Sequence, residues 1–376
     1  VGVTQEQSAA RCLFQLPDVL ADGGLLQTKP APRFSEAAGL CDGQEALQQD
    51  WIELLATVGL ASLLPAHGLG AVIAGHAVTV AIALLFFLYG ARLSWQAALA
   101  GARNLKLHAV VFTATFVLFP AIGLAMRALT PQLLTPALWS GVTLLCVLPS
   151  TVQSSIAFTS IARGNVPAAL CSATLSNLLG ILLTPLLAGM LLSTGPGVSA
   201  STIGDIVVQL LVPFAAGQAL RPWIGAWAAR NRTLLSCVDR GSILLVVYAA
   251  FSEGMVAGIW QQLNLLMLMR LFLVNAALLA AVLASTTLVS RKLGFARADE
   301  ITIVFCGSKK SLASGLPIAS VLFTAGSVGL MVLPMMLFHQ LQLMVCAALA
   351  RRYAAAQPAG RSSGHSEMGS VASVAY

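Results

Sequence analysis

The chain reads as an all-α polytopic membrane protein with ten transmembrane helices, two inverted five-helix repeats in which helices 4 and 9 are discontinuous. Three observations predict this. Apolar residues make up 57% of the sequence and charged residues only 9%, where a soluble domain carries roughly a quarter charged. The apolar residues fall in runs near the roughly 20 residues that a helix needs to cross a bilayer, and mean hydropathy is +0.85. The basic residues sit at the ends of these runs rather than in one patch, and they alternate by side.

Residues 1–50 stand apart. They hold Pro30-Ala31-Pro32, scattered charges and no long apolar run, and they lack the basic start and apolar stretch of a signal peptide. They are expected to form a soluble, disordered cytoplasmic extension. The membrane-spanning body is residues 51–350. Its first span is Trp51 to Ala66, short and closed by Pro65-Ala66-His67-Gly68. The second runs from Ala71 to Gly90, the third from Leu107 to Leu129, the fourth from Leu138 to Ala162 and the fifth from Val166 to Leu192. Gly195-Pro196-Gly197 then turns the chain. The second half continues with Ile203 to Leu220, Ser242 to Trp260, Leu266 to Val289, Glu300 to Phe323 and Val328 to Ala350. The tail, residues 351–376, is rich in Ser and Gly and is expected to be disordered.

Charge placement supports the count. With loops assigned alternately to two sides, one side collects Arg92, Arg103, Lys106, Arg163, Arg221, Arg230, Arg232, Arg240, Arg291, Lys292, Arg297, Arg351, Arg352 and Arg361. The other side keeps only Arg127 and Arg270. Each miscounted span would mix these sets. The positive-inside rule then puts both termini in the cytoplasm, with the anionic leaflet as partner of the basic loops. No aromatic and basic residues interleave as they would for nucleic acid, so no nucleic-acid partner is expected. Five spans per half, an odd number, make the halves inverted in the membrane.

The fourth and ninth spans correspond and are interrupted by the same chemistry. One reads Leu148-Pro149-Ser150-Thr151-Val152-Gln153-Ser154-Ser155, the other Cys306-Gly307-Ser308-Lys309-Lys310-Ser311-Leu312-Ala313-Ser314-Gly315-Leu316-Pro317. Backbone groups freed by a break cannot face lipid. Half-helix N-termini there favour anions and free carbonyls favour cations. A simpler outcome is a kinked helix whose Ser and Thr hydroxyls bond the preceding turn. Lys309 and Lys310 are the sharpest feature, about ten residues or roughly 15 Å into their span. A central Lys costs about 2.5 kcal/mol or more, which a function or a counter-ion should offset. Glu253 in the seventh span is a candidate partner, and a purely structural ion pair is the alternative. His339 and Gln340 lie mid-way along the last span. Thr115 in the third and Asn177 in the fifth could line the same cavity. Asp299 and Glu300 read as interfacial charges beside Arg297.

Other chemistry is poorly supported. Ser308-Lys309 invites a Ser-Lys dyad, but adjacent helical residues point about 100° apart, so no enzyme is expected. The seven cysteines form no CxxC pair and no metal spacing. Cys146, Cys171, Cys306 and Cys346 read as small buried hydrophobes. No cofactor is expected.

At these residues the sequence resembles the bile acid:sodium symporter family, from roughly residue 51 to 353, and within it the bacterial, sodium/bile acid cotransporter 7-like branch. The resemblance rests on Leu84-Leu85-Phe86-Phe87-Leu88-Tyr89-Gly90-Ala91-Arg92-Leu93, on Ala162-Arg163-Gly164-Asn165-Val166 and on Ser242-Ile243-Leu244-Leu245-Val246-Val247-Tyr248. Most specific is Ile303-Val304-Phe305-Cys306-Gly307-Ser308-Lys309-Lys310-Ser311-Leu312-Ala313.

The resemblance implies a core of spans 3–5 and 8–10, in which spans 4 and 9 cross, and a panel of spans 1, 2, 6 and 7. It implies a secondary transporter of a small organic anion, bile-acid-like or carboxylated, working by alternating access in the plasma membrane (the bacterial inner membrane). The family's last-span His and Asn carry a substrate-contact role over to His339 and Gln340, while Gln153, Ser154, Ser155, Ser308, Lys309, Lys310 and Ser311 are expected to contact substrate or ion from their place at the breaks. Sodium-coupled members place a Glu where Val304 stands and a Gln-Asn-Ser-Gly run where Ser308-Lys309-Lys310-Ser311 stands. Their fifth-span hydroxyls appear as Ala169 and Ala173, and a third-span Gln appears as Thr115. Only Ser154 and Ser155 keep oxygen ligands for sodium. These departures predict that a fixed Lys charge replaces sodium, leaving uniport, exchange or proton coupling through Lys309, Lys310 or Glu253. The alternative is a non-transporting membrane regulator of ion or calcium homeostasis.

Overall fold

The computed structural model describes residue 53 and residues 56–92, 104–192, 200–256, 258, 264–323 and 328–356. The expected N-terminal extension, the Gly195-Pro196-Gly197 turn and the tail beyond residue 356 lie outside the described residues. Everything regular among the described residues is helical. After a short helical stretch at residues 56–63 come α1 (Leu69–Arg92), α2 (Leu105–Thr113), a π-helical turn (Ala114–Leu118) and α3 (Phe119–Leu129). Then follow α4 (Pro136–Val147), α5 (Val152–Ile161), α6 (Val166–Leu192), α7 (Ala200–Arg230), α8 (Arg232–Val256), α9 (Leu265–Lys292), α10 (Arg297–Gly307), α11 (Leu312–Leu322) and α12 (Val328–Ala355).

Five continuous stretches are long and apolar enough to cross a bilayer: Leu69–Ala91, Leu105–Leu129, Val166–Leu192, Leu265–Lys292 and Val328–Ala355. The pair α4 and α5, bent by 64° at its break, makes a sixth. The chain is a multi-pass membrane protein. Its exposed residues fit that solvent, with Leu63, Leu69, Leu129, Met190 and Met344 standing on the outside.

Local chemistry sets the helix starts. Asn104 accepts from the Leu107 amide to cap α2, and Asn264 accepts from Met267 N–H to cap α9. Thr135 caps α4, with Pro136 in the first turn where its missing N–H costs nothing. The expected third span is not a plain α-helix. Pro120 has no N–H to offer Phe116, and the register slips one residue upstream, so that Phe119 N–H bonds Ala114 O. In an α register that N–H would have bonded Thr115 O. The slip leaves Thr115 O free.

Three glycines sit at close approaches between elements. A Cβ on Gly90 of α1 would strike Phe214 O, and one on Gly217 of α7 would strike Phe87 O, so these helices meet backbone to backbone. A Cβ on Gly180 of α6 would come within 2.6 Å of Pro149. The Pro149 ring therefore packs into the face of α6, and the break between α4 and α5 is held against it.

Candidate functional site

Two helix pairs stop and restart inside the protein. α4 and α5 are 12 and 10 residues long, and α10 and α11 are 11 each. Each piece is roughly 16 Å long, about half a hydrocarbon core. Both breaks are buried: Ser150, Ser308, Lys309 and Lys310 are at most 1% exposed. Every opened backbone group there therefore needs a partner.

The partners come largely from the opposite break. Pro149 O accepts from Ser311 N–H at 2.9 Å. The Ser150 hydroxyl donates to Cys306 O at 2.7 Å, and Thr151 Oγ1 to Lys310 O at 3.2 Å. α6 supplies others: Thr184 Oγ1 donates to Val147 O, Asn177 Nδ2 to Ser150 O, and Ser176 Oγ accepts from Ser150 N–H. The two interrupted segments interlock.

Lys310 completes this arrangement. Its Nζ donates to Thr115 O, Cys146 O and Leu148 O at 2.7, 2.7 and 2.8 Å, and it lies 4.2 Å from the centre of the Phe119 ring. Cys146 O and Leu148 O are carbonyls that α4 loses at its end. Thr115 O is the one released by the π turn. An ammonium has three N–H groups, and all three are used. Lys309 points the other way. Its Nζ makes one hydrogen bond, to Ser154 O at 2.6 Å, and lies 3.8 Å over Phe158 and 5.7 Å from Phe305. The hydroxyls of Ser154, whose carbonyl it bonds, and of Ser308, its neighbour in the chain, are buried without a hydrogen-bond partner.

A scan of family models matches residues 49–355 to the SBF-like CPA transporter family. The chain belongs to that family. It is similar to the Pseudomonas aeruginosa protein named "Uncharacterized protein PA2026", 56% identical over 81% of this chain and 92% of the relative. The Escherichia coli protein named "Putative symporter YfeH" is 51% identical over 80% of this chain and 91% of its own length. Rat sodium/bile acid cotransporter 7 is 26% identical over 81% and 92%. Transporter, symporter and membrane protein therefore describe the company this chain keeps.

Within that family frame, the residues singled out by sequence fall into three groups. Thr115, Ser154, Ser155, Ser308, Lys309, Lys310 and Ser311 are buried at or beside the breaks. Ser155 Oγ donates to Phe305 O at 3.4 Å, so one of the two serines expected to offer sodium a ligand spends its proton on the opposite helix. The other, Ser154, carries the Lys309 ammonium on its own carbonyl. Asn177 is half-buried and accepts from Ser314 Oγ at 3.2 Å. His339 is half-buried and its Nδ1 lies 3.0 Å from Gln342 Nε2. Gln340 is half-buried beside it, with Oε1 unpaired. Gln153 stands exposed on α5.

Glu253 is not the partner of either lysine: every hydrogen bond of the two ammonium groups ends on a main-chain carbonyl. The physical reason is that the end of α4 and the π turn leave carbonyl acceptors for Lys310, while Lys309 reaches Ser154 O in the first turn of α5. The sodium-site positions of the resemblance, Val304, Ala169 and Ala173, are packed with no exposure.

Sequence reasoning missed Gln342, which has no exposed surface. Its Oε1 accepts from Lys310 N–H and its Nε2 donates to Lys310 O, both at 2.9 Å, so one amide replaces the helix that Lys310 has left. The signal available was its place three residues after His339, on the same face of α12. Asp299 was also undervalued. Its two oxygens accept from Asn104 Nδ2 at 3.3 Å and Asn165 Nδ2 at 2.8 Å. Asn104 and Asn165 in turn accept from Leu107 and Ala168 N–H in the first turns of α2 and α6. One carboxylate thus ties two helix N-termini to the start of α10. Glu300, only 5% exposed, pairs with Arg297 at 2.7 Å and Arg291 at 3.2 Å.

Proposed function

We propose that this protein is a secondary transporter of a small organic anion, bile-acid-like or carboxylated, working by alternating access without sodium. One observation carries the reading: two interrupted helices interlock at a pair of fully buried lysines whose charge no carboxylate neutralises. An anion would meet a positive field there from Lys309 and from the N-termini of α5 and α11. Thr115, Gln153, Ser154, Ser155, Asn177, Glu253, Ser308, Ser311, His339 and Gln340 are the remaining residues we assign to the substrate and ion path.

The architecture we propose has ten spans in two inverted repeats of five, residues 51–350. α1, α7, α8 and the helix at residues 56–63 form a panel that moves against a core of the other spans. Residues 1–50 and 351–376 would be cytoplasmic flanks, with both termini on the cytoplasmic side of the bacterial inner membrane. Sodium independence follows from the ligand set. Sodium needs several oxygens; here the carbonyls at the breaks already serve two ammonium groups, and Val304, Ala169 and Ala173 offer none. Coupling, where present, then falls to protons or to exchange.

The test is a thermal-shift screen of the purified protein against organic anions, followed by uptake of each anion that shifts melting into proteoliposomes. Saturable uptake that Lys309→Gln abolishes supports the reading. An anion that binds yet never enters, or the absence of any binding anion, would reject it in favour of a regulator.

A further inference from the structure

Lys310 Nζ is surrounded in a way that describes a cation seat rather than a side chain finding a convenient acceptor. Three carbonyl oxygens from two different spans converge on it at 2.7, 2.7 and 2.8 Å, and the Phe119 ring covers it at 4.2 Å. None of the three is an ordinary helical carbonyl. Cys146 O and Leu148 O are exposed by the end of α4, and Thr115 O by the π turn. Without a cation between them, three partially negative oxygens would face each other in a dry interior, each short of a donor. The backbone around Lys310 is also held from outside by Gln342 at both its N–H and its C=O, so the side chain leaves from a fixed point.

From this we infer that Thr115 O, Cys146 O and Leu148 O form a latent binding site for a primary ammonium ion, and that Lys310 is its permanently tethered occupant. The seat joins α4 to the π turn, and a cation in it holds the first break open. This deepens the sodium-free reading above and rests on it only for its bearing on transport. The seat itself stands on the carbonyl geometry. Lys309 supplies the contrast, because its Nζ has one carbonyl and an aromatic face, which hold a charge without building a site.

Chemical rescue tests it. Lys310→Ala removes the atoms of an n-propylammonium ion and leaves the oxygens behind. The purified full-length variant should melt well below the wild type in tetramethylammonium chloride, which is too large for the seat. n-Propylammonium chloride at equal ionic strength should raise its melting temperature by several degrees while leaving the wild type unchanged. Lys309→Ala should gain much less. Lys310→Met, similar in volume but neutral, should fold, melt below the wild type and ignore propylammonium, because its side chain fills the channel.

An equal gain for both Ala variants, or no gain for Lys310→Ala in melting or in yield of folded protein, would overturn the inference. So would wild-type melting of Lys310→Met. Because the readout is stability, loss of this seat would leave sodium-independent flux to be judged separately, and sodium-dependent flux would leave the seat standing.

Discussion

Lys309 and Lys310 are adjacent in sequence and equally withdrawn from solvent, at 0% and 1% exposure, yet they meet opposite surroundings. Lys310 spends three N–H groups on three carbonyls, at about 1.5–3 kcal/mol for each bond to a charged group. That sum exceeds the insertion cost of about 2.5–3.5 kcal/mol for a central Lys. Lys309 has one such bond and a ring contact worth about 2 kcal/mol when desolvated, so its margin over the same cost is much smaller. The difference teaches that burial alone does not sort a structural charge from a working one; the saturation of its donors does. A saturated ammonium fixes the two breaks against each other, and an unsaturated one keeps capacity for a ligand.

The largest effect that would break this comparison is on Lys310. Replacing it with Met strands three carbonyls at about 1–3 kcal/mol each, so stability should fall by about 3 kcal/mol or more, read as a large drop in melting temperature. Lys309→Met should cost less stability, about 1–3 kcal/mol, while removing anion binding. If the two variants lose stability equally, the division of labour fails. Gln342→Leu comes next, because it leaves Lys310 N–H unpaired in the interior and Lys310 C=O with Thr151 Oγ1 alone. About 2 kcal/mol is expected, with accelerated hydrogen exchange at the break between α10 and α11 but little change in α1 and α7. Smallest is Asp299→Asn, which sets an amide nitrogen against the Asn104 or Asn165 amide. A loss of about 1 kcal/mol is expected, confined to faster exchange in the first turns of α2 and α6.

Much of this was legible in the residues. The two breaks announce themselves because Pro149 and the Gly307-to-Ser311 run interrupt apolar sequence, and lysines ten residues from a span end have no route to water. What the lysines bind was not legible, and Glu253 was the natural candidate from sequence. Carbonyl acceptors carry no residue code. Those of Lys310 arise where α4 stops and where Pro120 shifts the register and releases Thr115 O, and that of Lys309 is Ser154 O in the first turn of α5. Gln342 was hidden for a related reason, since its two contacts at the break are with the backbone of Lys310, and only its side-chain contact to His339, three residues earlier, is readable from spacing. Asp299 looked interfacial because its position beside Arg297 suggested an ion pair, while its actual partners, Asn104 and Asn165, lie far off in sequence.

The replacement of a dissolved cation by the chain's own ammonium groups is tested most directly by flux. Protein reconstituted into liposomes should take up its organic anion at the same initial rate with an inward sodium gradient, with sodium equal on both sides, and with sodium wholly replaced by choline. Uptake that requires sodium and saturates with its concentration would contradict the account.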